Sequence, residues 1–167
     1  MARAALEHLS LEKLVFIPTG TPRYRTPPVA SPQHRVAMLD LALAGDPRYE
    51  IDRREIAPAA SPYTVDTLQG LREEFGPTAQ LYLLMGADQY AKLGSWHRPQ
   101  EVRQLARIAV FARPGIDLGK EKVTMIPMQP IPVSASDIRA RAARGEDVSD
   151  TVPPAVATYI VRHGLYS

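Results

Sequence analysis

Short apolar runs and longer amphipathic stretches take turns along this chain of 167 residues. Residues 13–17, 49–51, 81–85, 108–111 and 123–126 are brief and mostly continuous in apolar character, which predicts strands buried on both faces. Helical patterns fill the gaps: 32–43 behind Ser31 with Pro32 in the first turn, 65–75 behind Thr64, and 99–106. Two more follow, 137–144 behind Ser136 and 153–162. Alternation of this kind predicts an α/β fold with a parallel, doubly wound sheet in three α/β/α layers. The Pro- and Gly-rich segments 18–32, 58–62 and 114–120 fall where such a sheet carries its ligand loops. No internal repeat and no low-complexity tail interrupt the chain, so one domain over 1–167 is expected.

The start of the chain departs from this pattern. Ala2, Ala4, Ala5, Leu6 and Leu9 have helical spacing, yet no strand precedes them. In a doubly wound sheet the first strand is usually central. Its loss would remove ladder hydrogen bonds of about 1 kcal/mol each and burial worth about 1.5–3 kcal/mol per apolar side chain. That rivals the whole stability of an ordinary domain, about 5–15 kcal/mol. The expectation is an N-terminally incomplete domain whose natural start lies upstream.

Composition narrows the classes. With 45% hydrophobic and 23% charged residues the chain can bury a real core. No apolar run approaches a membrane span, and Met1-Ala2-Arg3-Ala4-Ala5-Leu6-Glu7-His8 has no signal-peptide core. The absence of cysteine excludes disulfides and thiolate metal sites and fits a cytoplasmic protein. A net charge of +2 is too small to argue for a nucleic-acid surface. Only four of the twenty basic residues are lysines, and arginine suits bidentate phosphate contacts.

The segment with the most chemistry is Val133-Ser134-Ala135-Ser136-Asp137-Ile138-Arg139. It sets two hydroxyls and backbone N–H groups at the positive end of a helix, with Arg139 about a turn further on. A phosphate is favoured there; an ordinary N-cap uses the same residue types.

Seven segments, taken in order, resemble the bacterial nicotinate-nucleotide adenylyltransferases over essentially the whole chain. They are Phe16-Ile17-Pro18 with Pro22 and Arg25; His34-Arg35-Val36-Ala37-Met38-Leu39; Tyr63-Thr64-Val65-Asp66-Thr67-Leu68; and Met85-Gly86-Ala87-Asp88 with Ser95-Trp96. Phe111-Ala112-Arg113-Pro114-Gly115, the 133–139 segment, and Tyr159-Ile160 with His163-Gly164-Leu165-Tyr166 complete the series. The family's Gly-rich first loop and H-x-G-H pair are missing, since His8, His34, His97 and His163 form no such pair. That gap coincides with the missing first strand, and the 167-residue form is expected to be inactive or nearly so. Arg23-Tyr24-Arg25 replaces the usual Pro-His-Lys or Pro-His-Arg, and Ser61-Pro62-Tyr63 the common Pro-Ser-Tyr.

The resemblance implies a Rossmann-like nucleotidyltransferase that joins nicotinate mononucleotide to the AMP of ATP in NAD biosynthesis. The nucleophile would be an ionised 5′-phosphate, so no strong protein base is required; alignment and charge neutralisation carry the rate. Mg²⁺ would arrive bound through the triphosphate, without a dedicated protein metal site. Carried over by position, Ser134, Ser136 and Arg139 would hold the ATP phosphates and act in catalysis, and Arg25, with Arg23, would reach them from the first loop. Gly86, Asp88 and Arg113 would contact the ATP side, with Asp88 on ribose hydroxyls. Tyr63, Thr64 and Trp96 would take the nicotinate nucleotide, the indole stacking on its pyridine ring. Thr64 would also cap its helix, and the amides there suit the nicotinate carboxylate. Arg35 is a secondary candidate for a phosphate contact, while His8, His34 and His163 read as structural or exposed.

Bland readings stand beside these: solvated charges for Arg23 and Arg25, a capped turn for Gly86-Asp88, a core position for Trp96, an ion pair for Arg113. Rival functions are adenylyl transfer to nicotinamide mononucleotide or phosphopantetheine on the same fold, or a truncated, non-catalytic nucleotide-binding form. The expected partners are the small-molecule substrates, with no nucleic acid and no membrane; a homo-oligomer is left open.

Overall fold

In the computed structural model, residues 1–20, 28–111, 123–128 and 133–167 are described. In chain order they form α1 (Ala2–His8), β1 (Leu14–Phe16), α2 (Pro32–Leu43), β2 (Tyr49–Ile51) and α3 (Thr64–Phe75). There follow β3 (Tyr82–Gly86), α4 (Ala87–Tyr90), α5 (Pro99–Leu105), β4 (Arg107–Phe111), β5 (Thr124–Ile126), α6 (Ala135–Ala143) and α7 (Pro154–Arg162). Among the described residues the strands belong to parallel sheets flanked by helices, without barrel closure. The chain divides into two units, Met1–Leu14 with Tyr63–Pro130 and Val15–Pro62 with Ile131–Ser167.

The first unit is built on a parallel three-stranded sheet in the order β3-β4-β5. β4 is central, with Leu84 beside Ala109 on one edge and Ala109 beside Thr124 on the other. A strand between two others that is covered on both faces needs continuous apolar sequence, and Ile108, Ala109, Val110 and Phe111 are all buried. The expectation of two-faced burial therefore holds for β4; β2 differs, because Glu50 is exposed between half-buried neighbours. α3 buries Val65, Leu68 and Leu71, one face at helical spacing, and packs against α5 with its buried Val102. Arg72 fixes the exit of α3: its guanidinium donates to the carbonyls of Gly76 (3.2 Å), Ala79 (2.6 Å) and Leu105 (2.7 Å).

The second unit holds the pair β1–β2, where Asp52 N donates to Phe16 O at 2.9 Å and the Phe16 and Tyr49 rings meet edge to face at 5.8 Å. Ser31 caps α2 as its sequence predicts, accepting from His34 N at 3.2 Å. α2 packs against α7. Val148, Val156, Ala157, Ile160 and Leu165 form the core, with Met38 of α2 and Ile138 of α6 laid on it. No helix among the described residues is long and apolar enough to cross a membrane.

Candidate functional site

The 133–139 segment folds as a capped helix start, two residues earlier than its sequence suggests. Ser134, not Ser136, is the N-cap, and its Oγ accepts from Asp137 N at 3.2 Å. Both serines can cap; Ser134 takes the role, and α6 starts at Ala135. Ser136 falls in the first turn, where its Oγ accepts from Arg139 Nη2 at 3.1 Å. Ser134 and Ser136 are exposed and Arg139 is half-buried. The three residues thus stand together at the positive end of a nine-residue helix. Hydroxyl donors, amide N–H groups and a guanidinium in one place can neutralise the growing charge of a polyphosphate.

The same unit holds Arg35, whose Nη2 donates to Thr19 O at 2.5 Å. His34 is half-buried: its Nδ1 lies 2.9 Å from the Tyr159 hydroxyl, and its ring is 5.3 Å from that of the exposed His163. Arg23, Arg25 and Arg113 lie outside the described residues.

In the first unit, Gly86 ends β3 and caps α4, and Asp88 is the exposed second residue of that helix. A Cβ at Gly86 would touch no protein atom, so the fold itself does not demand glycine there. The backbone is open to close approach from outside. Tyr63 and Thr64 open α3, one residue earlier than expected: Tyr63, not Thr64, is the cap residue, without a side-chain cap bond, and Thr64 is the first helical residue. An extended Tyr63 (φ −107°, ψ 127°) lets the helix begin one step early.

Trp96 is half-buried at the end of a short 3₁₀ turn, its N–H on Leu93 O at 3.1 Å. The next residue escaped the sequence reading: the His97 imidazole stacks on the Tyr63 ring at 4.2 Å. Arg98 adds a second tie, lying 3.8 Å from Asp66 of α3 and donating to Glu101 at 2.8 and 2.9 Å. Glu101 in turn accepts from Gln69 of α3 at 2.5 Å. The Trp96 segment is therefore braced against the start of α3, which brings Tyr63, Thr64 and the 96–98 stretch into one neighbourhood. Only the position of His97 beside Trp96 could have flagged it.

Among the described residues no group of three or more His, Cys, Asp or Glu stands ready to hold a metal ion. Ser134, Ser136 and Arg139 belong to one unit; Tyr63, Thr64, Gly86, Asp88 and Trp96 belong to the other.

A family model described as cytidylyltransferase-like matches residues 1–141. The chain is 39% identical over 189 aligned positions to a probable nicotinate-nucleotide adenylyltransferase of Laribacter hongkongensis, covering 99% of this chain and 86% of the relative. A protein of the same description from Thermomicrobium roseum is 37% identical, with 99% and 83% covered. The fold matches that of Plasmodium falciparum nicotinic acid mononucleotide adenylyltransferase complexed with NaAD, at a TM-score of 0.76 and 17% identity over 98% of this chain and 89% of that one. The chain belongs to the nicotinate-nucleotide adenylyltransferase family of the cytidylyltransferase-like nucleotidyltransferases.

Proposed function

We propose that this chain transfers the AMP moiety of ATP to nicotinate mononucleotide, giving nicotinate adenine dinucleotide and pyrophosphate. The observation that carries the reading is the start of α6, where Ser134, Ser136 and Arg139 gather hydroxyls, amides and a cation at one exposed helix end. A phosphate oxygen of the mononucleotide attacks the α-phosphorus of ATP; the bond to the bridging oxygen of the β-phosphate breaks, and pyrophosphate leaves with that electron pair. No proton has to be removed from the nucleophile, so a site of cations and donors suffices. Magnesium enters as MgATP, part of the substrate. Arg25 and Arg113 are assigned to the phosphates and the ATP side by the same family pattern.

The acceptor is assigned from the Trp96 and Tyr63–Thr64 neighbourhood: a flat aromatic face with a helix start suits a pyridine ring bearing a carboxylate. A match of the family model to residues in both units supports treating 1–167 as one nucleotidyltransferase domain. The cysteine-free composition suits the cytoplasm.

The test is MgATP-dependent pyrophosphate release with nicotinate mononucleotide and, separately, nicotinamide mononucleotide, run on this chain and on a version extended upstream. Release with the acid and much less with the amide, in the extended form, is the expected result. Preference for the amide would reassign the acceptor. Silence with both acceptors in both forms, with ATP still bound, would replace the enzyme by a nucleotide-binding protein.

A further inference from the structure

Two imidazoles to which the proposed reaction gives no role meet on the second unit. His34 stands in the first turn of α2, its backbone N–H on Ser31 Oγ at 3.2 Å. His163 directly follows α7; its N–H donates to Tyr159 O at 3.1 Å, and Leu165 N closes the turn on Ile160 O at 3.0 Å. α2 and α7 pack together, and Tyr159 of α7 lies on the core of this unit. Three rings therefore gather. The centroids of His34 and His163 are 5.3 Å apart, and the His163 ring lies 4.1 Å from that of Tyr159 at 34°. The Tyr159 hydroxyl is 2.9 Å from His34 Nδ1. His34 and Tyr159 are half-buried and His163 is exposed, so the pair is open to solvent.

That spacing fits one shared metal ion. A Zn–N bond of about 2.0–2.1 Å sets the ion about 3.2 Å from each imidazole centre, so a tetrahedral ion holds two such centres about 5.2 Å apart. Ligands at right angles, as on a square-planar or octahedral ion, would bring the centres to about 4.5 Å. The observed 5.3 Å matches the tetrahedral value. The Tyr159 hydroxyl supplies a second feature of such sites. A metal-bound histidine donates its other ring N–H to a neighbouring polar group, which orients the ring; here Nδ1 meets the phenol oxygen and Nε2 is left for the ion. Imidazole nitrogens select zinc over Mg²⁺, which takes oxygen ligands.

We propose that His34 and His163 form a two-histidine site for Zn²⁺, with Tyr159 a positioning residue for His34 and water completing the coordination. The ion clasps the first turn of α2 to the turn after α7.

The test adds Zn²⁺ alone, and Co²⁺ as its coloured substitute, to the untagged full chain. Zn²⁺ is expected to raise the melting temperature, because the unfolded chain does not hold the two nitrogens together. Co²⁺ is expected to show the intense visible absorption of a four-coordinate ion. His163→Gln, at an exposed position, should weaken Zn²⁺ at least about tenfold in calorimetry and leave the metal-free melting temperature unchanged. His34→Gln should do the same to Zn²⁺; if that variant does not fold, His163→Gln decides. Tyr159→Phe keeps the ring and should cost about tenfold in Zn²⁺ affinity while the Co²⁺ spectrum stays four-coordinate; wild-type affinity there would end its positioning role. His8→Gln, on the other unit, should change nothing. Equal Zn²⁺ affinity in the wild type and His163→Gln, or a pale six-coordinate Co²⁺ spectrum, would overturn the proposal.

Discussion

Gly20 is the residue whose identity the backbone constrains most directly. A Cβ there would run into the carbonyl oxygen of Glu55, a backbone atom of the 3₁₀ turn Arg54–Ile56 that cannot rotate away. Gly20→Ala is therefore expected to destabilise by about 1–3 kcal/mol, the usual cost of forcing extra volume into a packed site. A denaturant midpoint equal to that of the wild type would show that the turn yields freely. Gly86 makes the contrast: added volume there meets nothing of the protein, so Gly86→Ala should leave stability near the wild-type value. Two glycines that look alike in sequence differ because one faces backbone and the other faces outward. Spacing along the chain holds no record of that difference.

At the scale of elements, the turn after α6 is a network of charges around one buried side chain. Val148 is 2% exposed, and the polar residues on either side hold it in place. Asp147 accepts from Ser149 N at 2.9 Å and Ser149 Oγ at 2.8 Å, and these bonds keep its carboxyl below the usual aspartate range. Glu146 is lowered likewise by Arg144, which donates to it at 2.5 Å. A carboxylate with a depressed folded pKa adds stability that is fully present above its unfolded value, about 3.9 for Asp, and is lost as pH falls through the folded value. The melting temperature should therefore drop on acidification below about pH 4, and less steeply in Asp147→Asn. Equal slopes in the two proteins would show that the turn does not respond to acid. Much of the element plan was legible beforehand. Val65, Leu68 and Leu71 marked a helix by spacing alone, and the unbroken apolar run of β4 marked a strand buried on both faces. The four-residue α4 was not, because so short a helix has no period to display. The cap of α6 moved from Ser136 to Ser134 because neighbouring serines compete and local sequence does not rank them.

Across the whole molecule, the proposed contacts divide between the two units, and so does what each substitution should do. Trp96, on the first unit, is assigned to the pyridine ring, and Arg139, on the second, to the triphosphate. The binding motifs were legible because they are local strings; the brace that holds Trp96 was not, because the Tyr63–His97 stack joins residues far apart in sequence. Stacking on an aromatic face is worth about 1–3 kcal/mol, so Trp96→Ala should weaken binding of nicotinate mononucleotide about tenfold and leave that of ATP nearly unchanged. Removing a charge-assisted hydrogen bond costs about 1.5–3 kcal/mol, and Arg139→Ala should weaken ATP by about ten- to a hundredfold with little effect on the mononucleotide. His97→Ala tests the brace: it should repeat the Trp96 effect in smaller measure, because it loosens the segment without removing the indole. If Trp96→Ala weakened ATP and spared the mononucleotide, the assignment of acceptor and donor to these residues would be reversed. If both variants changed both constants equally, each substitution would be acting through the fold and not through a contact with one substrate.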